Sequence, residues 1–211
     1  MRHRADLRLI VITDATLARP RAVIDIVGMA LQAGARVIQL RDKSATARDL
    51  LAQAEALRAL THTHNALLFI NDRLDVALAA RADGVHLGPD DIPLAAARAA
   101  VGDDFLIGVS TDDPERARRA QTEGADYIGC GAVFGTRSKD VGGEAIGVGQ
   151  LERVVRAVDI PVLGIGGIDV HNVSQVAAAG AAGAAVIGAV MQAADVEATV
   201  KALLSPFPPQ R

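Results

Sequence analysis

The sequence predicts an α/β chain folded as a single (β/α)8 barrel of near-minimal size. Three observations carry this. Short apolar runs alternate with longer helical patterns from end to end. Eight such runs fit into roughly 200 residues, the complement of a small eight-stranded barrel. A short motif also recurs before every second run, which favours a barrel of two-unit modules over an open sheet whose strand order reverses.

The strands are expected at Leu9–Thr13, Arg36–Leu40, Leu67–Ile70, Gly84–Leu87, Leu106–Val109, Tyr127–Cys130, Pro161–Ile165 and Ala184–Ile187. Several are apolar without alternation, as parallel strands covered by helices should be. Between them, stretches such as Thr46–Leu60 and Pro114–Thr122 have helix-forming composition and one apolar stripe. The recurring motif is a helix end, a small or Gly turn and a strand: Ala33-Gly-Ala-Arg-Val-Ile, Arg81-Ala-Asp-Gly-Val-His, Glu123-Gly-Ala-Asp-Tyr-Ile and Ala182-Gly-Ala-Ala-Val-Ile. A glycine there suits the left-handed conformation that ends a helix. Val176–Ala194 is long enough to span a bilayer, but its Ala and Gly content and its Gly180 and Gly183 favour a helix end, a turn and a buried strand. No linker divides residues 1–211, so one TIM-barrel domain is expected, with its core at about 8–204 and a loose Pro-rich tail at 205–211.

Composition narrows the function. Lys and Arg total 22 against 25 Asp and Glu, so no bulk attraction to nucleic acid or anionic membrane is expected. Aromatics are 2% of the chain, too few for base-stacking platforms. A lone cysteine, Cys130, excludes an internal disulfide framework and suits the cytoplasm. The expected partners are small-molecule substrates, with no nucleic acid and no membrane; a homo-oligomer is left open.

Polar residues crowd the strand exits, where a barrel assembles its active site. Thr13-Asp14, Gln39-Leu-Arg41-Asp-Lys43, Asn71-Asp72, Asp90-Asp91, Ser110-Thr111 and Thr136-Arg-Ser-Lys139 all lie at strand ends or their exits. Arg41 and Lys43 are two apart and can project to one side, with Arg137 and Lys139 on a later loop; together they suit phosphate oxygens. Asp72 and Asp91 end neighbouring strands and could share a hard cation such as Mg2+. A helix N-cap is the bland alternative for either, and Asp90 rivals Asp91. Gly164-Ile-Gly166-Gly167 and Ile187-Gly188 follow the last two strands, where backbone N–H groups commonly cradle a phosphate. His86 reads as a satisfied core or rim histidine, and His62 and His64 as surface groups at a helix end. The dinucleotide and esterase-elbow fingerprints both fail, and no nucleophile–base pair stands out. Two anion sites in one mouth, one with a metal and strong cations, point to joining two phosphorylated molecules with loss of pyrophosphate rather than to hydrolysis.

In these residues the chain resembles the thiamine-phosphate synthase family from about Leu9 to Leu204. The markers are Val11-Ile-Thr-Asp14, Gln39-Leu-Arg-Asp-Lys43, Asn71-Asp-Arg-Leu-Asp75, Gly84-Val-His-Leu-Gly88 with Asp91, Gly108-Val-Ser-Thr111, Gly131-Ala-Val-Phe-Gly-Thr-Arg-Ser-Lys139 and Gly164-Ile-Gly-Gly-Ile168. The resemblance implies a transferase coupling 4-amino-5-hydroxymethyl-2-methylpyrimidine pyrophosphate to a thiazole phosphate. It assigns Gln39, Arg41, Lys43, Asn71, Ser110 and Lys139 to the pyrimidine pyrophosphate, and Asp72 and Asp91 to Mg2+. Thr136, Arg137, Ser138, Gly167, Ile187 and Gly188 would hold the thiazole phosphate, and Arg41, Lys43, Ser110 and Lys139 would act in catalysis. Pro89 and Ser138 depart from the residues usual in the family. The rivals are a related thiazole tautomerase, whose expected catalytic His is replaced here by Ala132, a phosphosugar isomerase of the same fold class, and a non-catalytic binding protein.

Overall fold

The computed structural model describes residues 6–135 and 145–209. Its strands are β1 (Leu9–Ile12), β2 (Val37–Leu40), β3 (Leu67–Asn71), β4 (Gly84–Leu87), β5 (Leu106–Ser110), β6 (Tyr127–Gly131), β7 (Val162–Ile165) and β8 (Gly183–Val186). All pair in parallel with their sequence neighbours, and β1 pairs with β8, so the sheet closes. Each strand lies within a residue of the range its apolar run predicts at either end. The helices are α1 (Ala15–Ala18), α2 (Val23–Gln32), α3 (Ala47–Thr63), α4 (Leu74–Ala79), α5 (Leu94–Ala100), α6 (Pro114–Thr122), α7 (Gly147–Val155), α8 (Val173–Ala178), α9 (Gly188–Met191) and α10 (Val196–Leu204). The architecture is the (β/α)8 barrel expected from the sequence.

Local chemistry starts and stops these elements. Thr46 accepts the Asp49 N–H to cap α3, and Asp113 accepts the Arg116 N–H to cap α6, with Pro114 at the first turn. The long apolar run near the C-terminus splits into α8, a left-handed Gly180 (φ 84°), β8 and α9. No helix among the described residues is long and apolar enough to cross a membrane.

Three expectations need correction. In the recurring motif, the left-handed residue before β4 is Arg81 (φ 51°), not a glycine, and before β8 it is Gly180, three residues ahead of the glycine expected. Gly183 lies inside β8, where a Cβ would stand 2.1 Å from the Leu7 carbonyl oxygen, so this glycine serves close backbone approach and not a turn. The tail is not loose throughout: Phe207 is buried in the core and its N–H donates to the Leu204 carbonyl, because one apolar ring outweighs the prolines around it.

Inward positions recur every second residue along the strands. Ile10 and Ile12, Gln39 and Arg41, Asn71, His86, Tyr127 and Gly129, Leu163 and Ile165, and Ala185 line a cavity at the mouth. Below it the interior is filled by side chains such as Phe69, whose ring stacks on Tyr127 with centroids 5.7 Å apart. Polar groups that face inward are therefore held at the C-terminal end of the barrel, over an apolar plug.

Candidate active site

Strand β2 delivers Gln39 and Arg41 to the mouth. Gln39 is 2% exposed, and its Nε2 has no hydrogen-bond partner among the described residues. A buried amide donor left this way costs free energy unless something else meets it, and it lines the cavity. Arg41 is anchored through its backbone: its N–H donates to Oγ1 of the buried Thr13. Lys43 lies further out and is largely exposed, with Nζ 3.9 Å from Asp72 Oδ2.

The β3–β4 register pairs Asn71 with His86 and sets Asp72 just beyond the sheet. Neither acid caps a helix: Arg73 and Pro93 occupy those positions, without side-chain capping bonds. Asp91 turns back, and its Oδ2 accepts the Gly88 N–H at 2.6 Å. The Asp91 carboxyl lies within hydrogen-bonding reach of Asp72, whereas Asp90 is exposed. Burial, then the neighbouring Asp91, push Asp72 up to about 6, while Lys43 and Arg41 pull it back. Two carboxylates forced together on a half-buried rim, with oxygen donors only, fit a hard divalent cation that takes one or two carboxylates and leaves its other positions to water or phosphate.

Across the mouth, β5 ends at Ser110. Its Oγ is 2.8 Å from His86 Nε2, and His86 Nδ1 is 2.9 Å from the hydroxyl of the buried Tyr127. This Ser–His contact is a geometric finding that the sequence did not indicate. The two residues are 24 apart in sequence, so only the strand register brings them together. The sequence placed Tyr127 in a strand but gave it no role at the site; the one available signal was a tyrosine at an inward strand position in a chain with few aromatics.

The last two strand exits supply backbone. Gly166 (φ 94°) and Gly167 (φ 65°) form a left-handed turn, and a Cβ on Gly167 would meet the Gly135 carbonyl oxygen at 2.5 Å. The Asn172 side-chain amide donates to the Gly167 carbonyl and holds that turn. Ile187 is the N-cap residue of α9, which begins at Gly188. Thr136, Arg137, Ser138 and Lys139 lie outside the described residues. The rest of the predicted set, namely Gln39, Arg41, Lys43, Asn71, Asp72, Asp91, Ser110, Gly167, Ile187 and Gly188, falls at or just beyond the C-terminal ends of the strands. Such a mouth offers a desolvated amide donor, a carboxylate pair and two cations on one side, with glycine backbone on the other.

The family model described as thiamine monophosphate synthase matches residues 9–190. A thiamine-phosphate synthase from Roseiflexus sp. (strain RS-1) is 50% identical over 193 residues, covering 92% of this chain and 82% of that protein. One from Methanoculleus marisnigri is 48% identical over 195 residues, covering 92% of each. Among solved structures, the thiamine phosphate pyrophosphorylase from Pyrococcus furiosus superposes with a TM-score of 0.86 at 42% identity, covering 96% of both chains.

Proposed function

The chain belongs to the thiamine monophosphate synthase family, and on that premise we propose that it is a transferase joining 4-amino-5-hydroxymethyl-2-methylpyrimidine pyrophosphate to a thiazole phosphate, releasing thiamine phosphate and pyrophosphate. The observation that carries this reading is the buried Gln39 amide, whose Nε2 has no hydrogen-bond partner among the described residues, lining a mouth that also holds the Asp72–Asp91 pair and Arg41. Gln39 and Asn71 would take the pyrimidine ring, and Arg41, Lys43, Ser110 and Lys139 its diphosphate. Thr136, Arg137, Ser138, Gly167, Ile187 and Gly188 would take the thiazole phosphate.

The chemistry needs little proton transfer. The bond between the methylene carbon and the diphosphate oxygen breaks, and its electron pair leaves with the diphosphate. The aminopyrimidine carries the resulting cation until the thiazole nitrogen donates its lone pair to the same carbon. Arg41, Lys43 and Lys139 stabilise the charge that develops on the leaving group, and the phosphate cradle holds the thiazole in line. Mg2+, held by Asp72 and Asp91, would add positive charge to the diphosphate. The reducing cytoplasm is the proposed setting, which suits the buried Cys130, whose thiol burial pushes up to about 12. The tautomerase alternative lacks support at Ala132, which has no side chain able to move a proton.

The test is direct. The protein incubated with both substrates and Mg2+ should release pyrophosphate and thiamine phosphate in equal amounts. Folded protein that binds both substrates yet forms no product would replace this reading with that of a binding protein.

A further inference from the structure

We propose that Tyr127 and His86 are positioning residues for Ser110, fixing its hydroxyl as a hydrogen-bond donor into the barrel mouth and withholding the base that would make it a nucleophile. The proposal deepens the transferase reading, on which its kinetic part rests.

Tyr127 sets the direction of the chain. Its phenol is 1% exposed, and burial pushes its pKa far above the ordinary range, so it keeps its hydrogen. A buried O–H requires an acceptor. Its hydrogen-bond partner among the described residues is His86 Nδ1, at 2.9 Å. The phenol therefore donates and Nδ1 accepts. A neutral imidazole that accepts at Nδ1 carries its hydrogen at Nε2. That N–H points at Ser110 Oγ, 2.8 Å away, and occupies a lone pair there. The hydrogen of Ser110 is then directed away from His86, and Ser110 stands part-exposed where β5 opens into the mouth.

A hydrolytic triad has the opposite polarity. There a carboxylate accepts the Nδ1 hydrogen, and Nε2 is left as the base that takes the serine proton. A phenol in the third place donates instead, and the histidine has no lone pair left for the serine. The same Ser–His distance thus yields a fixed donor, useful toward a departing diphosphate, and not an activated nucleophile.

The fold gives up side chains to build this arrangement. Gly108 pairs with Tyr127 across β5 and β6, and a Cβ there would lie 2.0 Å from the Tyr127 Cζ. A Cβ on Gly129 would press His86 Cε1 at 3.0 Å. Both rings occupy space that any other residue at those positions would fill, and Phe69 stacks against Tyr127 from below.

Nitrogen NMR of histidine-labelled protein, free of substrate and metal, tests the chain itself, with the His86 signal assigned by its loss in His86→Gln. The expected result is a single neutral tautomer with hydrogen at Nε2, and a mixed tautomer in Tyr127→Phe. Hydrogen at Nδ1 in the wild type, or an unchanged tautomer in Tyr127→Phe, overturns the proposal. In the coupling assay Tyr127→Phe should lower kcat roughly threefold to tenfold with KM little changed, the size of one misdirected hydrogen bond. A variant with lowered Tm but unchanged kcat per folded molecule assigns Tyr127 a structural role only and overturns the proposal. Diisopropyl fluorophosphate should leave Ser110 unmodified; a phosphorylated Ser110 overturns it. If Tyr127→Phe does not fold, the wild-type tautomer and the Ser110 labelling still decide. Wild-type protein with the Nε2–H tautomer but no turnover sinks the transferase reading and leaves the hydrogen-bond chain supported.

Discussion

Asp72 concentrates several costs in one residue. It holds a left-handed backbone (φ 64°), which an aspartate tolerates better than most residues, and its carboxyl is pushed from 3.8 to about 6 by burial and by Asp91. Because its folded pKa is raised, its contribution to metal-free stability is fully present below about pH 4 and is lost as pH rises through about 6. Asp72→Asn mimics the protonated form. In EDTA at pH 7.5 this variant should melt a few degrees above the wild type, with the gap closing toward pH 4. Mg2+ should reverse the order, because only the wild type retains both carboxylates, and turnover of the variant should fall by about a hundredfold or more. Calorimetry with and without EDTA checks the first part, and pyrophosphate release the second. A variant less stable than the wild type in EDTA at pH 7.5 would show that the two acids do not repel. Sequence spacing alone could name Asp72 and Asp91 but could not choose between Asp90 and Asp91. The choice depends on a turn in which Asp91 reaches back to the Gly88 N–H.

The turns between helices and strands, far from the mouth, carry a stability device repeated between modules. Asp83, before β4, accepts the Leu68 N–H of β3 and pairs with Arg58 of α3. Asp126, before β6, accepts the Ile107 N–H of β5 and pairs with Arg98 of α5 at 2.5 Å. Each aspartate thus ties one strand to the helix that packs beside it. The repeat was visible in the sequence, but its alignment was not: a left-handed turn is easy to expect at Gly34 or Gly124 and hard to expect at Arg81. Asp126 is 8% exposed and Arg98 15%, so removing the acid leaves a mostly buried guanidinium charge without its counter-ion, although still bonded to the Gly124 and Phe105 carbonyls, and takes the acceptor from the Ile107 N–H. Asp126→Ala should therefore cost about 3–5 kcal/mol in urea unfolding. Glu123→Ala, which breaks an exposed pair with Arg119, should cost less than about 1 kcal/mol. Equal losses for the two would mean that the Asp126 pair is no better insulated than a surface one.

At the scale of the whole barrel, the architecture was legible because apolar runs and helix stripes are local patterns. The Ser110–His86–Tyr127 chain was not, because Tyr127 is 41 residues from His86 and meets it only through strand register. The same closure holds the candidate site together. Its cations stand on the exit of β2, its acids beyond β3 and β4, and its serine at the end of β5. Apart from the Lys43–Asp72 and Asp72–Asp91 contacts, these groups are held in place through the sheet, so a ligand spanning them should stabilise the entire molecule. Mg2+ and inorganic pyrophosphate carry opposite charge, and under the proposed reading each would supply what the other lacks: a metal held by Asp72 and Asp91 would relieve their repulsion, and the anion would offer it oxygen ligands and meet Arg41 and Lys43. Added singly, either should raise Tm by little. Added together, they should raise it by more than the sum of the two separate shifts, with a combined gain of about 2–3 kcal/mol at a hundredfold excess over the dissociation constant. Asp72→Asn should abolish the excess and leave the shift with pyrophosphate alone intact. Thermal melts of the wild type and the variant under the four conditions measure this directly. Strictly additive shifts would mean that metal and anion occupy separate places on the molecule, and the shared mouth would then have to be divided between them.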